Sequence, residues 1–582
     1  MGLKNCAAVA ALALACVALT GCNDDSNDVT TATVRDTAFG RVEGFDDSAA
    51  SGTYFWKGIP FAKAPVGALR WKAPVDPDAW MGTLPTQRFG SPCVQYGRIY
   101  GPGANNTYDP TIATTLNQAV GSEDCLFLNI WRPATLDAGL PVIVFIHGGS
   151  NVSGYTADPV YDGATLAKTA NAVVVTVNYR LGIFGWLNLP QLKDGSSAND
   201  DSGNFAPLDN IKALQFVNRN IANFGGDAGN VTVMGQSAGA IDVYALLTSP
   251  LIVSANPKLM HKAVPLSGGI SLAVNLPAGS IPTLNPASTA LAQGNALLNN
   301  LLIADGKATD TASALAYIAT QTPAEIAAYL RAKDPATLLT ILLTKLAPLG
   351  LAGSGPIPEG TVVPINPVNE IKAGNYLKVP VLAGNTRDEA KLFPTFLALA
   401  PVLGGVSGRL VSDATLFNIQ YSYDPNAAPT VTIDQWIPAQ YLPVNTPVTG
   451  FNAKTDLLNS IFFIASRKNV LDALKSQQAG VWYYRFDWDE EPAPWNDIYG
   501  AAHAFDLSFV FGTFGPSLFS NVVASNANKA GRLDLSNAMM KTLGAFALAG
   551  DPNNAALGVT WPAWPSTLLF DATQTAKSIS VQ

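Results

Sequence analysis

The pentapeptide Gly235-Gln236-Ser237-Ala238-Gly239 follows the apolar run Val231-Thr232-Val233-Met234 and opens a helix-like stretch from Ala238 to Leu247. A G-x-S-x-G set between a strand and a helix is a nucleophile elbow. Its serine needs neighbours without bulk, so that the backbone can hold a strained turn with Oγ projecting above a sheet. The chemistry such a serine performs is acyl transfer. That chemistry requires a base, an acid to orient the base, and donors for the negative oxygen of the tetrahedral intermediate.

The donors come from a second glycine-rich turn. Upstream, Pro141-Val142-Ile143-Val144-Phe145-Ile146 reads as a buried parallel strand that runs into His147-Gly148-Gly149-Ser150. Backbone N–H groups brought close by such a loop stabilise an oxyanion without having to reorganise. Gly149, Ser150 and Ala238 are the expected oxyanion donors.

The base must be an imidazole, because it takes the serine proton and returns it near neutral pH. The chain has three histidines. His147 belongs to the oxyanion loop, and His261 lies in an amphipathic segment after the elbow helix, where a structural role is expected. His503, in Gly500-Ala501-Ala502-His503-Ala504-Phe505-Asp506-Leu507, remains as the base. An acid should follow a strand between serine and histidine. The run Val379 to Ala383 ends in a polar loop carrying Asp388 and Glu389, and spacing alone leaves both open. The resulting order, serine then acid then histidine, is that of the α/β-hydrolases.

The chain resembles a type-B carboxylesterase, the α/β-hydrolase family that includes cholinesterases, liver-type carboxylesterases and bacterial para-nitrobenzyl esterases. The resemblance is carried by Phe39-Gly40-Arg41-Val42-Glu43-Gly44, by Ser122-Glu123-Asp124-Cys125-Leu126, by Asn178-Tyr179-Arg180-Leu181-Gly182, by Asn223-Phe224-Gly225-Gly226-Asp227 and by the elbow itself. It extends over nearly all of the chain beyond the amino terminus. It implies Glu389 as the acid paired with His503, a disulfide between Cys93 and Cys125 beside the active-site gorge, an ion pair of Arg70 with Glu123, and a structural acid at Asp209. It implies no cofactor.

Three departures from the family pattern stand out. Gln236 replaces the usual glutamate before the nucleophile and removes a negative charge beside the imidazole. Asn151 replaces an aromatic residue after the oxyanion glycines. The segment from Cys93 to Cys125 lacks the tryptophan on which cholinesterases stack choline and offers Tyr96, Tyr100 and Tyr108 instead, which disfavours choline esters.

The elements that must position these residues alternate. Strand-like runs at Ala172–Val177, Val231–Met234, Val379–Ala383 and Val481–Phe486 are separated by helical stretches, as in an α/β protein with a large doubly wound, mostly parallel sheet. One catalytic domain is expected over 36–582. Helical and loop insertions around 277–350 and 400–450 are expected to cap the gorge.

The amino terminus reads as an export signal. Residues 1–21 carry Lys4 and an apolar run too short to span a bilayer. The ending Leu19-Thr20-Gly21-Cys22 is similar to a bacterial lipobox, which makes Cys22 the lipidated first residue and 22–35 a polar tether. The expected location is the bacterial cell envelope, with the membrane reached through the lipid alone, or the secreted fraction. Cys93 and Cys125 are then the remaining thiols, and an exported chain most simply pairs them.

Composition excludes other classes. A net charge of −8 over 582 residues, without a basic cluster, argues against nucleic acid as partner. No Cys/His cluster has metal-ligand spacing, so no metal is expected. The function expected is that of a serine carboxylesterase acting on short-chain esters. A lipase on longer acylglycerols is the alternative, and a catalytically dead adhesion member of the family is less favoured because a serine, an acid and a histidine are all present.

Overall fold

The computed structural model describes residues 32–582. The signal segment, Cys22 and the tether as far as residue 31 lie outside the described residues. Val34 and Arg35, assigned from sequence to the tether, belong to the fold: Val34–Thr37 pairs antiparallel with Gly40–Glu43. The reason is a local anchor, since the indole of Trp56, fully buried, donates to the Thr33 carbonyl at 2.7 Å.

Eleven strands make one sheet. In chain order they are β1 (Phe45–Asp47), β2 (Thr53–Pro60), β3 (Phe127–Pro133), β4 (Leu140–Ile146), β5 (Val173–Val177), β6 (Gly226–Gln236), β7 (Lys262–Leu266), β8 (Val381–Thr386), β9 (Val481–Phe486), β10 (Leu568–Ala572) and β11 (Lys577–Val581). Across the sheet they run β11-β10-β9-β8-β7-β6-β4-β5-β3-β2-β1. From β10 to β5 all neighbours are parallel, and the antiparallel pairs stand at the two margins. A parallel sheet needs crossover helices, which cover both faces and bury its strands completely. Every residue of β4 and of β5 is buried accordingly.

Alternation along the strands sends side chains to two cores. Val142, Val144 and Ile146 of β4 pack with residues from the helices Phe205–Asn220, Ala238–Thr248 and Ala465–Lys475. Ile143 and Phe145 face the other way, against Leu166 and the long helix Lys529–Ala549. The parallel strands all end on one side. The loops after β4, β6, β8 and β9 lead to His147, Ser237, Glu389 and His503, so the sheet delivers the oxyanion loop and the three triad candidates to its carboxyl edge.

The helical insertion differs from expectation. Its helices, from Ala287 to Leu349, pack over Trp71, Val94, Ile183 and Phe184 beside the disulfide loop. Each presents an apolar stripe that this third core already covers, so only Pro282 and Thr283, ahead of the helices, reach the site. Capping falls to other segments: Ser354–Pro356, Leu392–Phe396 and Phe462–Phe463, with Arg409 and Asp413 from the second insertion. Among the described residues no helix is long and apolar enough to cross a membrane.

Candidate active site

Ser237 lies between β6 and the helix Ala238–Thr248 with φ 59° and ψ −122°. A non-glycine residue pays on the order of 1–3 kcal/mol for such a backbone and keeps it only where the surroundings impose it. Here they do. The Ser237 N–H donates to Leu266 O at 2.8 Å. A Cβ at Gly235 would lie 2.3 Å from the Gly239 carbonyl oxygen, and one at Gly239 2.1 Å from that of Ile146. Both glycines are thus required by close backbone packing, with β4 pressed against the start of the helix.

The oxyanion loop is a second strained turn. Gly149, Ser150 and Asn151 all have positive φ, at 105°, 57° and 60°. The Gly149 carbonyl accepts from the N–H groups of Val152 and Ser153, both at 3.1 Å, and the Asn151 carbonyl from Gly182 at 2.8 Å. The N–H groups of Gly149 and Ser150 take no part in these loop bonds, and Ala238 opens its helix, where N–H groups have no partner within the helix. His147 is structural. Its ring stacks on Tyr179 with centroids 4.6 Å apart, Nδ1 lies 2.8 Å from Gly148 O, and burial pushes its pKa down to about 4, so it is neutral. His261 is likewise structural, its Nδ1 accepting from the Val231 N–H at 3.2 Å.

Geometry separates the two candidate acids. Glu389 is fully buried; its Oε2 contacts His503 Nδ1, while Oε1 accepts from Asn385 Nδ2 at 2.7 Å and from the Thr386 N–H at 3.0 Å. Burial alone would raise its pKa, but the adjacent imidazole and these hydrogen bonds hold it below the ordinary carboxylate value. Asp388 turns away. It accepts from Arg387 at 2.8 Å and from the Ala501 N–H at 3.0 Å, bracing the loop that carries His503.

The other edge of the His503 ring holds a contact the sequence did not reveal. Nε2 lies 3.1 Å from the side-chain nitrogen of Gln236, so with Nδ1–H directed at Glu389 the ring accepts this amide hydrogen. Among the described residues no hydrogen bond joins Ser237 Oγ to His503.

Above Ser237 the cavity divides into two chambers that share Ser150, Ser237, Phe393 and Phe396. One, of about 180 Å³, contains Gln236 and His503. The other, of about 200 Å³, is walled by Ala238, Ile241, Phe462 and Phe463, with no charged side chain lining it. The four phenylalanines form one cluster: Phe393 stacks on Phe396 and Phe463 at 5.5 and 5.8 Å, and Phe463 and Phe393 both touch the His503 ring. Sequence reasoning missed them. The available signal was the aromatic pair at 462–463, which sits in a widened helical turn, Ser460–Ile464, a distortion that recurs at functional sites.

The supporting residues fall where the resemblance put them. Arg70 pairs with both oxygens of Glu123 at 2.7 and 2.5 Å and also donates to Lys333 O, tying the disulfide loop to the helical insertion. Cys93 and Cys125 are bonded. Asp209, fully buried, takes a bidentate contact from Arg180 at 2.8 and 2.7 Å. Asn151, buried in the apolar chamber wall, accepts from Tyr179 Oη at 3.1 Å and donates to Asp242 Oδ1 at 3.4 Å. Of the three tyrosines, Tyr100 alone lines the chambers.

The sequence profile of the carboxylesterase family matches residues 31–579. The para-nitrobenzyl esterase of Bacillus subtilis (strain 168) is 31% identical over 541 residues, covering 92% of this chain and 94% of that one. The fumonisin B1 esterase of Sphingopyxis macrogoltabida is 31% identical over 540 residues, covering 91% and 84%. Among solved structures, a carboxylesterase from Geobacillus stearothermophilus superposes with a TM-score of 0.66 at 29% identity, over 94% of this chain and 98% of that one.

Proposed function

The chain belongs to the carboxylesterase family and is a serine carboxylesterase, and from that premise we propose that it hydrolyses short-chain esters through an acyl-enzyme on Ser237. Ser237 Oγ attacks the ester carbonyl while His503 Nε2 takes its proton. The negative oxygen is held by the N–H groups of Gly149, Ser150 and Ala238. His503 then gives the proton to the departing alkoxide, which leaves as the alcohol. Water repeats the cycle on the acyl-enzyme and releases the acid. Glu389 keeps the Nδ1 proton in place throughout and stabilises the imidazolium that forms.

The observation that carries this reading is the contact of Glu389 with His503 Nδ1, made while His503 and Ser237 line the same chamber. For Nε2 to serve as base, its bond to Gln236 must open when substrate enters, a small side-chain rotation. Loading the enzyme with a para-nitrophenyl ester should give a burst of one nitrophenol per site, and peptide mass spectrometry should find the acyl group on Ser237. A modified residue other than Ser237 would overturn the assignment.

The same proposal extends to location. Residues 1–22 support export and lipidation at Cys22, which would tether the catalytic domain to the envelope. Mass spectrometry of the native protein should find a diacylglyceryl group on Cys22, and an unmodified amino terminus beyond residue 22 would exclude the anchor.

A further inference from the structure

His503 is the group that must protonate the departing alcohol, so the alcohol half of the ester has to lie in the chamber that contains His503. The acyl half then occupies the uncharged chamber walled by Phe462 and Phe463. The two chambers differ in charge. Arg98, from the disulfide loop, and Arg409, from the second insertion, both line the His503 chamber, against a single acid, Asp413.

Arg409 Nη2 pairs with Asp413, whose side chain is half exposed, and its Nε is buried with no acceptor. Arg98 stands over the Tyr96 ring at 5.5 Å and forms no ion pair among the described residues. Tyr100 lines the same chamber as both guanidinium groups. It stacks on Phe519 at 5.1 Å, and its hydroxyl makes no hydrogen bond among the described residues. Burial holds its pKa well above 10, so it is a standing donor. An exposed guanidinium fork and a phenol thus line one space whose charged side chains leave one positive charge uncompensated, and the anion whose geometry matches that fork is a carboxylate.

We propose that the His503 chamber selects esters whose leaving alcohol bears a carboxylate, held by Arg98 with Tyr100 and Arg409 beside it. The proposal rests on the acyl-enzyme reading above, which decides which half of the ester enters which chamber. It also gives a second reason, beyond the absent tryptophan, to expect choline esters to be poor substrates, since a quaternary ammonium would meet the same positive charge.

The test compares 4-acetoxybenzoate with its methyl ester, two substrates with the same acyl group whose leaving phenols differ in charge. The quantity read is the ratio of their kcat/KM values, in which losses common to both esters cancel. The ratio should fall at least tenfold in Arg98→Gln, fall further in Arg98→Glu, and decline in the wild type as salt rises. A parallel measurement does not depend on catalysis: Ser237→Ala should bind 4-hydroxybenzoate more tightly than methyl 4-hydroxybenzoate, and adding Arg98→Gln should erase that preference. If both esters turn over but neither ratio moves with residue 98, the carboxylate site is overturned and the esterase mechanism stands. If the binding preference appears and depends on Arg98 while no ester is cleaved at Ser237, the site stands and the mechanism falls.

Discussion

The side-chain nitrogen of Gln236 lies 3.1 Å from Nε2 of His503, while Glu389 holds Nδ1 on the opposite edge of the ring. The proposed base is therefore gripped from both sides, by a carboxylate at Nδ1 and by an amide donor at Nε2. Gln236→Glu would replace the donor with a second negative charge. That change adds an anion beside the ring, so the acid limb of the kcat/KM profile of the variant should lie at higher pH than that of the wild type, by about one pH unit or more. A limb that stays in place would show that residue 236 does not act on the ring.

The two carboxylates at 388 and 389 predict different defects. Glu389→Gln should lower kcat by about 10³-fold or more with the fold intact, as should Ser237→Ala and His503→Ala, because these groups act as one unit. Asp388 touches Arg387 and Ala501 and not the imidazole. Asp388→Asn should cost mainly stability, read as a lower melting temperature with kcat reduced far less. Equal losses of kcat with unchanged melting would reverse the assignment.

Much of this site was legible in the sequence, for a physical reason. Backbone close approach and strained turns allow few residue types, so Gly235, Gly239 and Gly149 mark their turns wherever they occur. Histidine is scarce enough here that assigning two of three to structure isolates His503. The choice between Asp388 and Glu389 could not be made from the residues, because a shift of one position in a loop reverses which carboxylate faces the ring. The Phe393, Phe396, Phe462 and Phe463 wall was also hidden, since its members come from separate loops and meet only in three dimensions. The helical insertion misled because amphipathic helices announce that they cover something without saying what.

A buried acid beneath the oxyanion loop makes stability depend on pH. Asp242, on the elbow helix, has its pKa raised from 3.8 to about 8 by burial, despite the hydrogen bond from Asn151. The unfolded chain releases this proton near 3.8, whereas the folded one keeps it to about 8. Its contribution is thus fully present below the unfolded value and is lost progressively as pH rises through the window between the two. Asp242→Asn removes that loss. The variant should match the wild type in denaturant midpoint near pH 4, exceed it increasingly up to pH 8, and keep a constant margin above. A margin that did not grow with pH would mean Asp242 is ionised in the native protein.

Reducing the Cys93–Cys125 bond releases a loop whose cysteines are 32 residues apart. Closing a loop of that size stabilises the folded state by about 3–4 kcal/mol in the chain-entropy account. A Cys93→Ser variant should lose about that much in denaturant unfolding. Because the same loop carries Arg98 and Tyr100, activity should fall most on substrates that depend on the His503 chamber. An equal fall across all esters would place the disulfide's influence on the fold alone.

The apolar chamber sets how much acyl chain the enzyme can use. Each methylene moved from water into its phenylalanine wall contributes about 0.8 kcal/mol, close to a fourfold gain in kcat/KM if it is fully buried in the transition state. The gain must stop when the space of about 200 Å³ is filled. Further carbons then either remain in water or displace Phe396 and Phe462. A para-nitrophenyl ester series should therefore rise steeply and peak at acyl chains of about two to six carbons, the range expected for a pocket that buries only a few methylenes. Phe462→Ala should move the peak to longer chains while reducing the rate on acetate, since the enlarged chamber no longer grips a short acyl group. A wild-type maximum at about twelve carbons or more, with activation at an oil–water interface, would assign the chain to the lipases in its mode of action.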